Sequence, residues 1–247
     1  MGRPWTRFKR YCVLGCVAFL SVLASAGEVK NSGGGMLDFN FYPYLSKAEN
    51  DSVFSLNMAS GLPNRFSYFG FINFYNQQNE NELQDTVNFY SELNLRWKVA
   101  ETSPFDLTLQ QVMRSSEDND RTRLGVRWRL NNTSHLEQFF QRIHAKWSIN
   151  LHAVQFDDTD ANEWQLEHAY SFSFPSISKR LYVAGFIDHT FNEDLPPAFP
   201  SNPIVSETQV GWRIVENFYA IYEYRINQYR IDSEVNHAVG VEYKMKW

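Results

Sequence analysis

The chain closes on His237-Ala238-Val239-Gly240-Val241-Glu242-Tyr243-Lys244-Met245-Lys246-Trp247, and the reading of this stretch decides the fold. His237, Val239, Val241, Tyr243, Met245 and Trp247 occupy alternate positions, with Ala238, Gly240, Glu242, Lys244 and Lys246 between them. Successive side chains of a β-strand point to opposite faces, so this alternation predicts a strand with one apolar face and one charged face. A soluble β-sandwich also uses strands of this kind. A secreted chain that stops inside its own strand, on an aromatic residue, favours a membrane barrel.

The same period recurs upstream. Phe89, Leu93, Leu95, Trp97 and Val99 oppose Asn88, Tyr90, Glu92, Asn94, Arg96 and Lys98. Leu124, Val126, Trp128 and Leu130 oppose Arg123, Arg127 and Arg129, and Trp164, Leu166, Tyr170 and Phe172 oppose Glu163, Gln165, Glu167 and Ser171. Phe218, Ala220, Tyr222, Tyr224 and Ile226 oppose Glu223, Arg225 and Asn227, with Tyr219 and Ile221 blurring the second face. Strands are predicted at 37–46, 53–60, 65–76, 87–99, 105–116, 121–131, 144–156, 163–174, 181–192, 204–214, 218–231 and 237–247. Most have the length of a tilted strand crossing a bilayer.

The connections sort into two alternating sets. Lys47–Ser52, Gln77–Thr86, Glu117–Asp120, Asp157–Asn162, Glu193–Pro203 and Asp232–Asn236 are rich in Asp, Glu and Asn, and several are long. Gly61–Asn64, Ala100–Pro104, Pro175–Arg180 and Val215–Asn217 are short. Asn132–Ile143 is the one long member of the second set; Leu136, Phe139, Phe140 and Ile143 recur at helical spacing there, with Thr133 or Ser134 placed to cap a short amphipathic helix. Short turns on one rim and longer loops on the other are the arrangement of an outer-membrane barrel, with the short turns periplasmic. The fold class is therefore all-β: a closed, antiparallel, up-and-down transmembrane β-barrel of about twelve strands over residues 37–247.

The other end of the chain agrees. Arg3, Arg7, Lys9 and Arg10 precede an apolar run over Cys12–Leu23 and the small residues Ala24-Ser25-Ala26, the order of a secretory signal peptide over residues 1–26. The run is too short to span a membrane as a helix. A lipoprotein signal at Val13-Leu14-Gly15-Cys16 would leave almost no apolar core ahead of its cysteine. Residues 27–36 read as a short lead-in. Cleavage after Ala26 removes Cys12 and Cys16, so disulfides and cysteine chemistry are excluded from the mature chain. The full chain has net charge −5, and loss of the basic leader makes it more acidic, which excludes a nucleic-acid polymer as partner. A mean hydropathy of −0.44 beside 16% aromatic residues excludes a helical membrane bundle. A barrel that alternates lipid-facing and lumen-facing residues between aromatic girdles accommodates both figures.

Arg or Lys on the lipid face costs about 2–4 kcal/mol at the midplane, so the charged faces must point inward. The predicted pore-lining residues are Arg96, Arg114, Arg123, Arg127, Arg129 and Lys146 from the fourth to seventh strands. Glu163, Glu167, Asp188, Glu207, Glu223 and Glu242 come from the eighth to twelfth, interrupted by Arg213, Arg225 and Lys244. Two opposed walls of charge would set a transverse field across the lumen. The bland alternative is that these charges pair and plug it. For lipid hydrolysis, a His two residues before a Ser on one strand face would be required, and the positions after the six histidines are Glu137, Lys146, Val154, Tyr170, Phe191 and Val239. Asp158, Asp160 and Asn162 open like a calcium loop, but Glu163 stands where Gly is needed and Ala169 where the bidentate Glu belongs. Neither a catalytic residue, a metal nor a cofactor is predicted.

The terminal strand resembles the C-terminal assembly signal of outer-membrane proteins. Asn162-Glu163-Trp164, the following strand to Phe174-Pro175, Gly185-Phe186-Ile187, and the stretch from Ser201-Asn202 through Tyr222 to Arg225 resemble the nucleoside-specific channel family of bacterial outer membranes. That resemblance implies a twelve-stranded channel whose lumen binds nucleosides; the Arg-rich wall departs from it and suits anionic solutes such as acidic sugars. The expected function is passive diffusion of small polar or charged solutes across the bacterial cell outer membrane. The rivals are a lipid-modifying barrel enzyme and a plugged structural or adhesive barrel. The expected partners are outer-membrane lipid and lipopolysaccharide, the barrel-assembly machinery and a small solute.

Overall fold

The computed structural model describes residues 33–45, 52–76, 87–115, 120–156, 163–230 and 234–247. The expected signal peptide, the cysteine pair and the calcium-like loop at 158–162 lie outside the described residues. Twelve strands follow one another as β1 (Gly35–Pro43), β2 (Ser52–Gly61), β3 (Phe66–Asn76), β4 (Val87–Lys98), β5 (Phe105–Arg114) and β6 (Arg121–Arg129). They continue as β7 (Ala145–Phe156), β8 (Trp164–Phe174), β9 (Ser178–Phe191), β10 (Ile204–Val215), β11 (Phe218–Asn227) and β12 (Val235–Lys246). Each pairs with its sequence neighbours, and β1 pairs antiparallel with β12, so the sheet closes on itself. Closure satisfies every strand edge, the condition for sheet structure inside a bilayer.

The alternation of the sequence becomes the inside and outside of the ring. Leu107, Leu109, Leu124, Val126, Val154, Val239 and Val241 are exposed on the outer surface, whereas Asp106, Thr108, Gln110, Arg123 and Glu242 on the same strands are buried. Aromatic pairs edge the apolar belt: Phe66 with Trp97 and Phe105 with Trp128 by the short turns, and Trp164 stacked at 3.9 Å on Phe191 by the long loops. Ile221, which blurred the inner face of β11, packs with Tyr42 and Ala238 in a small apolar patch of the inner wall.

Several boundaries differ from expectation for local reasons. β1 begins at Gly35, inside the expected lead-in, because Gly35 and Trp247 exchange backbone hydrogen bonds of 3.1 and 3.2 Å that zip the seam. β11 ends at Asn227 and not at 231, and the chain turns so that the Tyr229 hydroxyl bonds the Glu193 carboxylate. The turns after β2 and β10 place Asn64 and Asn217 at φ 58° and 64°, the left-handed region that asparagine tolerates.

The connection after β6 contains a 3₁₀ turn (Leu130–Asn132) and one helix, α1 (Glu137–Arg142), as the spacing of Phe139 and Phe140 predicts. The expected cap does not form. Leu136 occupies the N-cap position without a side-chain bond, because the Thr133 hydroxyl is taken by the Trp128 indole N–H at 2.8 Å and by the Arg129 carbonyl at 3.2 Å.

Candidate functional site: a half-filled charged lumen

The lumen holds a cavity of about 790 Å³ to which every strand except β5 contributes lining residues. It reaches the short-turn rim through Asn131, Asn132, Lys146 and Lys246. Of the predicted residues, Arg96, Arg127, Arg129, Lys146, Glu167, Asp188, Glu207, Glu223 and Glu242 line this cavity. Arg114, Arg123, Glu163 and Arg225 are engaged elsewhere: Arg114 lies 5.2 Å over the Tyr90 ring, and Arg225 sits 3.3 Å from Glu207 and donates to the Tyr44 hydroxyl at 2.9 Å.

Toward the long-loop end the lumen is filled. Arg123 pairs with Glu163 and donates to Gln155 at 2.7 Å, to Gln110 at 3.3 Å and to Gln165. Arg121, not singled out from the sequence, pairs with Glu163 at 2.9 Å and with Glu193 at 3.1 Å. Glu193 also accepts the Tyr229 hydroxyl, so the loops after β9 and β11 are tied to the wall of β6. Among the described residues this knot packs the lumen between β6 and β8 near the long loops with paired charge, and the cavity reaches the short-turn rim beside it.

The expected opposition of a basic and an acidic wall is offset at two places. Asp106 on β5 pairs with both Arg127 and Arg129, the latter at 3.1 Å, and offsets one of their two charges. Lys244 and Lys246 put cations on β12, opposite that wall, where Lys244 pairs with Glu242 at 2.8 Å and lies 4.0 Å over the Tyr182 ring. Among the charges that line the cavity an ordering runs along the strands. Arg96, Arg127, Arg129, Lys146, Lys244 and Lys246 sit within a few residues of the short-turn ends of β4, β6, β7 and β12. Glu92, Glu167, Asp188, Glu207 and Glu223 sit at mid-strand or toward the long loops, with Asp38 and Glu242 between the two zones.

Among the described residues, Arg96, Lys146 and Lys246 have no carboxylate partner; Arg96 lies 5.4 Å over the Phe69 ring instead. The deep carboxylates are held mostly by neutral donors. Glu92 accepts from Gln110 at 3.0 Å and from Tyr90, Glu167 accepts from Asn150, and Glu223 accepts from Tyr44 at 2.8 Å. Sequence reasoning placed Glu92 on the inner face without singling it out, and missed Asp106. Its signal was the alternation Asp106, Thr108, Gln110 against Phe105, Leu107, Leu109.

The histidines take separate places. His152 is fully buried 3.9 Å from Glu167, while on the outer face His168 accepts the Trp147 indole N–H at 3.2 Å and His237 bonds the Tyr222 hydroxyl at 2.6 Å. Among the described residues no three His, Cys, Asp or Glu side chains are grouped to hold a metal ion.

A closed strand ring with an apolar exterior and a polar, partly open interior defines a membrane-spanning β-barrel with a solvated lumen. Solved structures share this fold. The KdgM porin is similar over 84% of this chain and 98% of its own, at 13% identity and a TM-score of 0.50. The NanC porin is similar over 85% of this chain and 100% of its own, at 11% identity and a TM-score of 0.54. No family model matches the chain, and no curated protein matches it in sequence. At these identities the likeness is one of fold: the chain has the fold of outer-membrane porins, and the outer membrane is where a barrel with such a belt resides. The nucleoside-specific family suggested by Asn162-Glu163-Trp164 and Gly185-Phe186-Ile187 finds no support in these comparisons, because strand-and-turn cadences of that length are common to barrels in general.

Proposed function

We propose that the protein is a passive outer-membrane channel for small charged solutes, admitted through the cationic short-turn mouth. The observation that carries this reading is the cavity itself. Its mouth holds Arg96, Lys146 and Lys246 free of carboxylate partners among the described residues, and a ring of one sign of charge in a low-dielectric wall concentrates counter-ions. Twelve strands give a lumen between the side-chain-filled eight-stranded barrel and the wide sixteen-stranded pore, which suits single small molecules. Neutral nucleosides fit this lining less well than acidic solutes such as sugar acids, because unpaired cations left facing an uncharged solute gain nothing from it.

The knot of Arg121, Arg123, Glu163 and Glu193 makes the long-loop end the narrow point. The test is planar-bilayer conductance of the refolded mature protein. Discrete steps whose ion selectivity shifts in Arg96→Ala support a channel lined by this mouth. A folded, heat-modifiable barrel that never conducts, yet releases fatty acid from phospholipid vesicles, would replace it with the enzyme reading.

A further inference from the structure

The lining names a solute class more closely, and the inference rests on the channel reading above. β4 alone presents Glu92, Asn94 and Arg96 at successive inward positions, all three lining the cavity. Alternate positions on a strand are about 6.8 Å apart, so an anion, an amide and a cation stand in a column about 13 Å long between Cα atoms, shortened by the reach of the side chains. Asn94 is 2% exposed and its Oδ1 has no hydrogen-bond partner, although the residue faces the cavity. Across the lumen on β9, and nearer the long loops, the buried Oδ1 of Asp188 also lacks a partner, and the residue lines the cavity with Glu92 and Glu167. A buried polar atom without a partner is costly, and both of these belong to residues that line the cavity a solute would enter. At the mouth, Arg96 and Lys146 supply positive charge and form no direct ion pair among the described residues.

We propose that this lumen selects dipolar solutes: small hydroxylated molecules with an anionic group at one end and an ammonium at the other. The anion lies against Arg96 and Lys146, the hydroxylated chain passes the Asn94 amide, and the ammonium enters the carboxylate zone of Glu92, Glu167 and Asp188. A plain anion is drawn to the mouth and then repelled by that zone. A plain cation meets the repulsion first, at the rim. Only a molecule bearing both charges in this order is attracted throughout.

The experiment is proteoliposome uptake with four open-chain hexose derivatives of equal size. They are gluconate, gluconate carrying a terminal amino group, glucamine and glucitol, with potassium chloride conductance measured on the same preparation. The zwitterion should enter about threefold faster than gluconate or glucamine, the effect of one like charge at several ångströms in a solvated pore. Asp188→Asn and Glu92→Gln should close the gap to gluconate, and Arg96→Gln should close the gap to glucamine, with heat-modifiable migration confirming that each variant is folded. Gluconate entering as fast as the zwitterion in the wild type, or an advantage unmoved by any of the three variants, overturns the dipolar selection and leaves the channel standing. Absence of both uptake and conductance overturns the channel reading, and this inference with it.

Discussion

Arg121, the first residue of β6, and Glu163, just ahead of β8, form an ion pair of 2.9 Å although β7 runs between their strands, and their side chains are 3% and 0% exposed. Arg123 shares the same carboxylate. Buried pairs owe much of their apparent strength to the charge that would be stranded without them. Glu163→Gln leaves Arg123 with amide partners only, and should cost about 3 kcal/mol, the usual penalty for breaking such a pair. Urea unfolding of the refolded barrel should show the loss, and single-channel records should show a larger mean conductance as the knot loosens. An unchanged midpoint and unchanged conductance would dismiss the knot as the constriction.

Tyr229 extends this knot to the loop after β11. Burial pushes its phenol well above the ordinary range, and the neighbouring Glu193 carboxylate pushes it further. A pKa raised in the folded state gives stability that is complete below the unfolded value of about 10 and fades as pH rises toward the folded one. Ultraviolet difference titration should therefore place Tyr229 in the class of tyrosines that ionise later than the solvent-facing ones, and Tyr229→Phe should reduce the amplitude of that class by one residue. An unchanged late amplitude in Tyr229→Phe would defeat the assignment.

Arg96 and Arg127 both line the cavity, but only Arg127 carries a carboxylate partner, Asp106. Arg96→Ala should consequently lower the anion-to-cation permeability ratio about twofold or more, while Arg127→Ala should change it less, since Asp106 keeps Arg129 at 3.1 Å. Reversal potentials across a salt gradient measure both. Equal shifts in the two variants would count against the pairing.

Gly125 sits at the irregularity where β6 shifts register against β7, between the inward Arg123 and Arg127. A methyl group there would collide with the backbone carbonyl of Leu151, which cannot swing aside as a side chain can. Gly125→Ala should destabilise the barrel by about 1–3 kcal/mol, the range for overpacking, read as a lower urea midpoint with native conductance steps in the folded fraction. A variant as stable as the parent would show that β7 yields freely at this point.

The sequence by itself determined the barrel, its strand number and the inward direction of its charges. Strand alternation is a local property, and the high cost of an exposed arginine in lipid leaves one register for each strand. His237 to Trp247 carried that reading alone, and the outward exposure of Val239, Val241, Met245 and Trp247 agrees with it. Only the tertiary structure decided which charges neutralise one another and where the lumen stays open. Tilt and register shifts around the ring bring Arg121 to Glu163, 42 residues away, and Tyr44 to Arg225, 181 away, and no period within a strand encodes such offsets. For the same reason Asp106, unremarkable in sequence, pairs with two predicted pore arginines, while Asn94, a plain amide on an alternating strand, lines the cavity with its buried oxygen unpartnered. Pairing across a closed sheet depends on how many strands intervene and how each is staggered, and that sum exists only once the ring has closed.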